Sequence, residues 1–590
     1  MKLTALLIVS LIALPAAADE GLWTYNQFPA QKSPVELPAG FLDHLRLSSV
    51  RIGGGSGSFV SPQGLILTTR QAVAGCVGEE AFTGPEKPCP GLDASVLLKI
   101  EDVSAQLKTA GQSIAQRNAA IARIEKDCVC SVVRLFSGGR YDLYQYKRYT
   151  DIRVVFAPEY SLAFFGRERD SITYLRYGLN IAFLRVYEGG APAKTPDYLK
   201  WSATGVKEGD VVFASGNPGP TSRSVTAAQL TFYRDVELPL ILTRLSTRIQ
   251  RVAIPALMAS YKTNAGKLIG LRDDRLVTRK TVFDQKIRRA VDADTKLGAD
   301  AGKVWDEVAT AYKKWTPFEK PYQILEAAPA PGSRLFLRAR QKLRGEPVDA
   351  DPTPIDNQTE TLMLAQYLDE LRNLKEVPAK LVPTGNSRQA AEALLHDDGV
   401  LHLATALDPI ALKLRKQHED MIGSLEVSAA GKIAQYRYKL FGAADYPDGT
   451  STPRVEFGTV SGYTDRAAVS QPFASTFSGL YYKQGKDGPW QVPQRWLDVR
   501  DKLNAVTPLD FVSTCDLGGG DHGGPVVNPA GELVGVTFDG NLESLPTVYL
   551  YMKDQARTIH VDGRGIAEAL NKVYKATALL NELGLHPATD

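Results

Sequence analysis

Residues 518–526 read GGGDHGGPV and run on through VNPAGELVGVTFDGN at 527–541. A glycine-dense loop leads into an apolar run, an Asn-Pro turn closing on Gly531, and a second apolar run. This is the pattern of two short strands around a tight turn. The same plan appears near the other end as GSFVSPQGLILT (57–68), with a Ser-Pro turn closing on Gly64. Two such echoes at opposite ends of a chain predict two related β-barrels. Further strands are expected at DIRVVFAP (151–158), IAFLRVYE (181–188) and GDVVFASGNPG (209–219).

Between the two ends the character changes. From about 225 to 315 the chain is charged, poor in glycine and periodic, as in TRKTVFDQKIRRAVDADTKL (278–297). Over 358–375, Leu364, Tyr367, Leu368 and Leu371 fall on one face of a predicted helix. Proline-rich breaks, AAPAPGS (327–333) and GEPVDADPTP (345–354), separate the helices. The expected fold is therefore mainly β, a trypsin-like double β-barrel, with a large inserted α-helical domain. The expected boundaries are a signal peptide at 1–18, a first β-barrel half at 19–224, the helical insertion at 225–435, and a second barrel half with a C-terminal helix at 436–590.

At 590 residues, 44% hydrophobic and 23% charged, the composition is that of a globular chain with several domains. A formal charge of +3 carries no nucleic-acid footprint. The opening MKLTALLIVSLIALPAAADE has a charged Lys2, an apolar stretch from Leu3 to Leu14 and small residues Ala16, Ala17 and Ala18. That is the layout of a secretory signal cut after Ala18. The apolar stretch is shorter than the roughly 20 residues that span a bilayer, so a periplasmic or secreted protein without a membrane span is expected.

Export permits disulfides. Of Cys76, Cys89, Cys128, Cys130 and Cys515, the expected pairs are Cys76 with Cys89, and one of Cys128 or Cys130 with another partner. The odd count leaves at least one thiol. A zinc site is the alternative, but no Cys-x-x-Cys or His-x-x-x-His spacing supports it, and neither a metal nor a cofactor is expected.

Chemically, the glycine-dense loop has the frame of the serine-peptidase pattern GDSGGP. Gly520, Asp521, Gly523, Gly524 and Pro525 match it, and His522 stands where the attacking serine belongs. A hydroxyl attacks a carbonyl only when an imidazole takes its proton and a carboxylate orients that imidazole. Backbone amides then stabilise the oxyanion. In two-barrel peptidases the base follows a strand of the first barrel, yet after LILT this chain reads Thr69, Arg70, Gln71, Ala72.

Here the chain resembles the bacterial dipeptidyl-peptidase 7 and 11 family of exported serine peptidases. VRIGGGSGSFVSPQGLILT (50–68) is similar to the family's stretch ending in LTNHHC. The segment 155–187, VFAPEYSLAFFGRERDSITYLRYGLNIAFLRVY, is similar to the region around DNWMWPRHTGDF. FASGNPGPTSR (213–223), KLFGAADYPDGT (439–450), RTIHVD (557–562) and the C-terminal loop also fit. The resemblance places the family's catalytic His on Gln71, its Asp on Asn180 and its Ser on His522. Its paired cysteines near the catalytic His fall on Gly55 and Ala72, and the Asn and Trp that hold the substrate's N-terminal end fall on Ser171 and Ile172. A helical-domain Asn that touches the substrate ammonium falls on Ser260. His44, His396, His402, His418, His560 and His586 do not follow an LILT-like strand, Asp170 matches a different Asp, and Ser513 and Thr514 precede the glycine turn.

Asp539 matches the family's carboxylate for the substrate ammonium, although Asp-Gly-Asn is also good hairpin-turn chemistry. Gly540 matches the subtype that accepts an apolar penultimate residue, and Gly520 keeps the oxyanion loop. The expectation is a pseudo-peptidase without hydrolysis, binding peptides with free N-termini or another exported protein. The alternative is an active serine-type dipeptidyl aminopeptidase releasing N-terminal dipeptides. The resemblance also implies a homodimer.

Overall fold

A computed structural model describes residues 20–109, 114–252, 254–294, 301–327, 332–348, 355–485, 488–516 and 522–585. The expected signal peptide, Gly520, Asp521 and His586 lie outside the described residues. The chain divides into two units. One comprises residues 1–135, 140–222 and 441–590; the other comprises 136–139 and 223–440.

Among the described residues the first unit holds two large antiparallel sheets, of ten and seven strands, and a two-stranded one. In the larger, Gly55–Phe59 pairs with Leu65–Thr68, which pairs with Ala182–Glu188, which pairs with Asp151–Phe156. LILT is buried at all four positions, as a strand with both faces covered must be, and Ile66, Val154 and Leu184 pack with Phe59 in the core. In the smaller sheet, Pro525–Val527 lies between Val211–Gly216 and Leu533–Gly540, and Thr558–Asp562 links Leu533–Gly540 to Pro508–Ser513. Val526, Val534, Phe511 and Val212 form its core.

One boundary is corrected. Residues 209–219 were expected in the first barrel half, but Val211–Gly216 pairs with Arg454–Thr459 and with Pro525–Val527 in the second sheet. Tertiary pairing decides this, because an apolar strand carries no mark of which sheet it joins. The beginning of the described chain joins the same sheet region. Trp23 bridges Val455, with N–H to carbonyl bonds in both directions of 3.2 and 2.9 Å, and Gly21 N donates to the Asp516 carboxylate at 3.1 Å.

The cysteine reading is also corrected in part. Cys76 pairs with Cys89, but Cys128 and Cys130 pair with each other, their Cα atoms 5.2 Å apart. Cys515 is buried and takes part in neither disulfide. The Cys-x-Cys pair escaped the reading because sequence spacing does not fix connectivity.

The second unit is helical. Its helix Asn357–Arg372 starts at Asp356, whose side chain accepts from Thr359 N and so satisfies a helix-start amide. Leu364, Tyr367, Leu368 and Leu371 are all at most 1% exposed and pack with Phe336, Leu403 and Leu407 from other helices of the unit. None of the helices among the described residues is long and apolar enough to cross a membrane.

Candidate functional site

The site positions lie along the seam between the two sheets of the first unit. LILT ends at Thr68, and its hydroxyl donates to Ser56 O at 2.6 Å. Ser56 N in turn donates to His522 O at 2.8 Å, and the Ser56 hydroxyl accepts from Asn217 N at 2.9 Å. A Cβ added at Gly55 would lie 2.8 Å from His522 O. The missing side chain at Gly55 lets the second sheet's loop approach. Gly523 has φ +97°, and an added Cβ there would collide with Ser56 O. Its amide donates to Thr537 O at 2.7 Å, and Gly524 O accepts from Thr537 N at 2.9 Å. These glycines are held by packing and hydrogen bonding in their own right, so the frame has a structural reason independent of chemistry.

Beyond Thr68 the chain turns into a short 3-10 segment, Arg70–Val73. Gln71 is exposed on it. Asn180, 4% exposed, accepts from Arg70 N through Oδ1 at 3.0 Å. An amide at this position holds its neighbour's backbone but is neither a charge nor a base. Arg70 is 1% exposed and donates to Pro158 O at 3.1 Å and to Gly78 O. Its burial lowers the guanidinium pKa, against the opposing pull of Tyr160 and Glu79.

His522 is half-buried, with Nδ1 2.7 Å from Phe538 O. A carbonyl only accepts, so Nδ1 carries a proton, and this contact with the second sheet sets the orientation of the imidazole.

Asp539 does not lie in a hairpin turn. It belongs to Leu533–Gly540, opposite Ile559, where a register shift separates it from Thr537. Its Oδ2 accepts from Ile172 N at 3.1 Å and from Arg176 Nη1 at 2.5 Å, and its Oδ1 accepts from Gly540 N at 2.9 Å. Arg176, 3% exposed, also donates to Asp170 O at 2.9 Å and lies over the Phe538 ring at 5.3 Å. Ile172 reaches Asp539 from φ +51°, which a β-branched residue rarely adopts. A Cβ at Gly540 would collide with Ser544 Oγ, so this strand end has no room for a side chain without movement. Ser171 lies beside Ile172 and is half-buried. Ser260 belongs to the helical unit, exposed on the helix Pro255–Leu271, where its carbonyl accepts from Asn264 Nδ2 at 2.8 Å.

Three features escaped the sequence reading. Arg176, six residues after Asp170, neutralises Asp539. Asp510, fully buried, accepts from Gly178 N at 2.9 Å. Burial drives its carboxyl well above the usual range, against the opposing effects of that amide and of Arg176. Ser513, meanwhile, pairs with His560: the hydroxyl is 2.8 Å from Nε2, and Thr537 Oγ1 is 3.0 Å from Nδ1. His560 has no exposed surface, and burial holds its pKa at about 3, so this Ser–His pair is a neutral structural contact that substrate does not reach.

The sequence profile of the family described as Peptidase S46 matches residues 18–382 and 358–585. The Asp/Glu-specific dipeptidyl-peptidase of Shewanella putrefaciens is 25% identical over 97% of this chain and 98% of its own. Dipeptidyl-peptidase 7 of Phocaeicola vulgatus is 23% identical over 99% of both chains. The structure of Porphyromonas endodontalis DPP11 in complex with the dipeptide Arg-Glu superposes with a TM-score of 0.81 at 20% identity, covering 96% of this chain and all of that one. The profile match over nearly the whole chain, with a fold shared along its length with the solved relative, places this chain in the Peptidase S46 family.

Proposed function

We propose that this protein is a periplasmic or secreted member of the dipeptidyl-peptidase kind whose site engages the free N-terminus of a peptide but does not cleave it. The relatives' names support the dipeptidyl-peptidase kind, and taken alone they favour an active enzyme. The observation that carries the loss of cleavage is the side-chain set at the seam: an exposed Gln71, an Asn180 committed to Arg70 N, and an imidazole at 522. Gln is not a base near neutral pH. Asn in place of the orienting carboxylate costs a serine peptidase roughly 10⁴-fold, and an imidazole does not form the usual acyl-serine.

Asp539 is the proposed anchor for the peptide ammonium. Its charge is already balanced by Arg176, but Oδ1 accepts only from Gly540 N among the described residues. A carboxylate oxygen has two lone pairs, so Oδ1 retains capacity for an ammonium N–H. Binding then depends on Asp539 sharing its charge between two cations, which implies weak affinity. The resemblance of Gly540 to the subtype that accepts an apolar penultimate residue supports such a peptide rather than an acidic one.

The second reading, active release of dipeptides, is favoured by the relatives' names and by the His522 ring, which Phe538 O orients through Nδ1. One experiment separates the two. The exported protein is assayed on unblocked dipeptidyl fluorogenic substrates with apolar penultimate residues, beside His522→Ala and a Gln71→His, Asn180→Asp, His522→Ser variant. The binding reading expects no turnover by wild type, activity in the triple variant, and peptide affinity that N-acetylation abolishes. Turnover by wild type that disappears in His522→Ala overturns it and makes His522 catalytic.

A further inference from the structure

The two disulfides differ in what they do for the fold. Cys76–Cys89 closes a separation of 13 residues, and Cys89 is 3% exposed within the first sheet's core. Its amide also donates to Ile152 O at 2.8 Å. Cys128–Cys130 spans a single residue, Val129, which is 55% exposed, and Cys128 is itself exposed.

A cross-link stabilises chiefly by removing freedom from the unfolded chain, and the effect shrinks as the closed loop shortens. A two-residue separation therefore contributes little. The backbone at this place is also already fixed. Cys130 begins the strand Cys130–Leu135, an edge strand of the larger sheet, and stands opposite Gln145, while Val129 O accepts from Tyr146 N at 2.8 Å. Opening the sulfur bridge breaks none of these hydrogen bonds. Cys128 Sγ lies 3.5 Å from Ile124 O, so a reduced Cys128 finds an acceptor in place. The bridge is nearly redundant for stability, reachable from solvent, and seated on a rigid edge.

We propose that Cys128–Cys130 is a thiol–disulfide exchange site that takes electrons from low-molecular-weight thiols. An incoming thiolate attacks the exposed Cys128 sulfur. The Cys128–Cys130 bond breaks, its electron pair leaves on Cys130, and that thiolate takes a proton from solvent. A second thiolate attacks the bound thiol's sulfur, releases the oxidised thiol as its own disulfide, and leaves Cys128 to be protonated. Two thiols are oxidised to one disulfide, and one protein disulfide is reduced to two thiols. Exposed disulfides are the labile ones, whereas buried structural ones resist the glutathione pool. Cys76–Cys89 serves as the internal control.

The test equilibrates the full exported chain, without denaturant and without oxygen, across ratios of reduced to oxidised glutathione. The samples are then acid-quenched, alkylated and read by peptide mass spectrometry. The expected result is reversible reduction of Cys128 and Cys130 at glutathione ratios where Cys76 and Cys89 stay oxidised. The midpoint should be at least about tenfold more oxidising than that of the buried pair. A Cys130→Ser variant should accumulate glutathione on Cys128 while melting within about 2 °C of wild type, as expected for a cross-link of negligible weight. Reduction of both pairs together, or only in denaturant, overturns the proposal. So does failure of a folded Cys130→Ser protein to form the mixed disulfide.

Discussion

Arg176 and Asp539 form a 2.5 Å ion pair in which both partners are largely withdrawn from solvent, with side-chain exposures of 4% and 16%. Asp539 ends a strand of the second sheet, whereas Arg176 lies just before the first-sheet strand Ala182–Glu188. The pair therefore ties the two barrel halves across the seam where the site lies. Removing one partner leaves a buried charge without its counter-ion, which costs far more than the intact pair contributes. Asp539→Asn is expected to destabilise the protein by about 3 kcal/mol in urea denaturation. Adding Arg176→Met should recover part of that loss; full additivity of the two changes would show that the pair is not coupled.

Gly523 and Gly531 both adopt positive φ, +97° and +81°, but their surroundings differ. An added methyl at Gly523 runs into Ser56 O, while at Gly531 the nearest atom, on Phe41, is 3.8 Å away. Gly531→Ala should therefore cost only the left-handed backbone penalty, about 1 kcal/mol. Gly523→Ala should cost at least about 2 kcal/mol more than that and lower the yield of folded protein. Comparable melting temperatures for the two variants would contradict the close approach of Ser56 to the loop.

Acid and alkali should weaken the protein through different groups. Burial holds His560 at about 3, against an ordinary value of 6.5. The unfolded chain therefore binds a proton that the folded chain refuses, and this group's contribution is lost as pH falls from 6.5 towards 3. Glu237, in the helical unit, is pushed up to about 8 from 4.5, by burial first and then by Glu319 and Glu426. The folded state holds that proton, so its contribution declines as pH rises from 4.5 through 8. Glu237→Gln should flatten the alkaline decline and leave the acid limb unchanged. Chemical denaturation at a series of pH values reads both limbs.

Ile172 at φ +51° holds a conformation that costs a β-branched side chain of order 1–3 kcal/mol. Its amide is what Asp539 uses. Ile172→Asn keeps that amide and tolerates the left-handed region, so it should raise the melting temperature by a few degrees, equivalent to about 1 kcal/mol. A lower melting temperature would mean that the isoleucine side chain's packing outweighs the backbone strain.

The architecture was legible because it rests on periodicity. LILT, VGVTF and the Leu364–Leu371 stripe each carry the spacing of the element they form, and all lie in cores. Strand allegiance was not legible: Val211–Gly216 is as apolar as its first-sheet counterparts, and only its partners place it in the second sheet. For the candidate site, the resemblance to a known family pointed to Gln71, Asn180, His522 and Asp539. What each side chain bonds to depends on residues far away in sequence. Arg176 is 363 positions from Asp539, and Ser513 is 47 from His560. Neither separation has a local signal. Of the cysteines, Cys76 pairs with Cys89 as expected, whereas the Cys128–Cys130 pair is not legible because sequence spacing does not fix connectivity.

The second sheet draws one strand, Val211–Gly216, from before the helical unit, the rest from Arg454 onward, and a bridge from Trp23 at the beginning of the described chain. During synthesis, Trp23 and the 211–216 strand have no partners until the Arg454–Thr459 strand, beyond the helical unit, has appeared. Until then they present apolar side chains and an unpaired edge, the condition in which nascent chains recruit chaperones or aggregate. Loss of the chain beyond the helical unit therefore leaves Trp23 and the 211–216 strand without partners, although every strand of the larger sheet has by then been made.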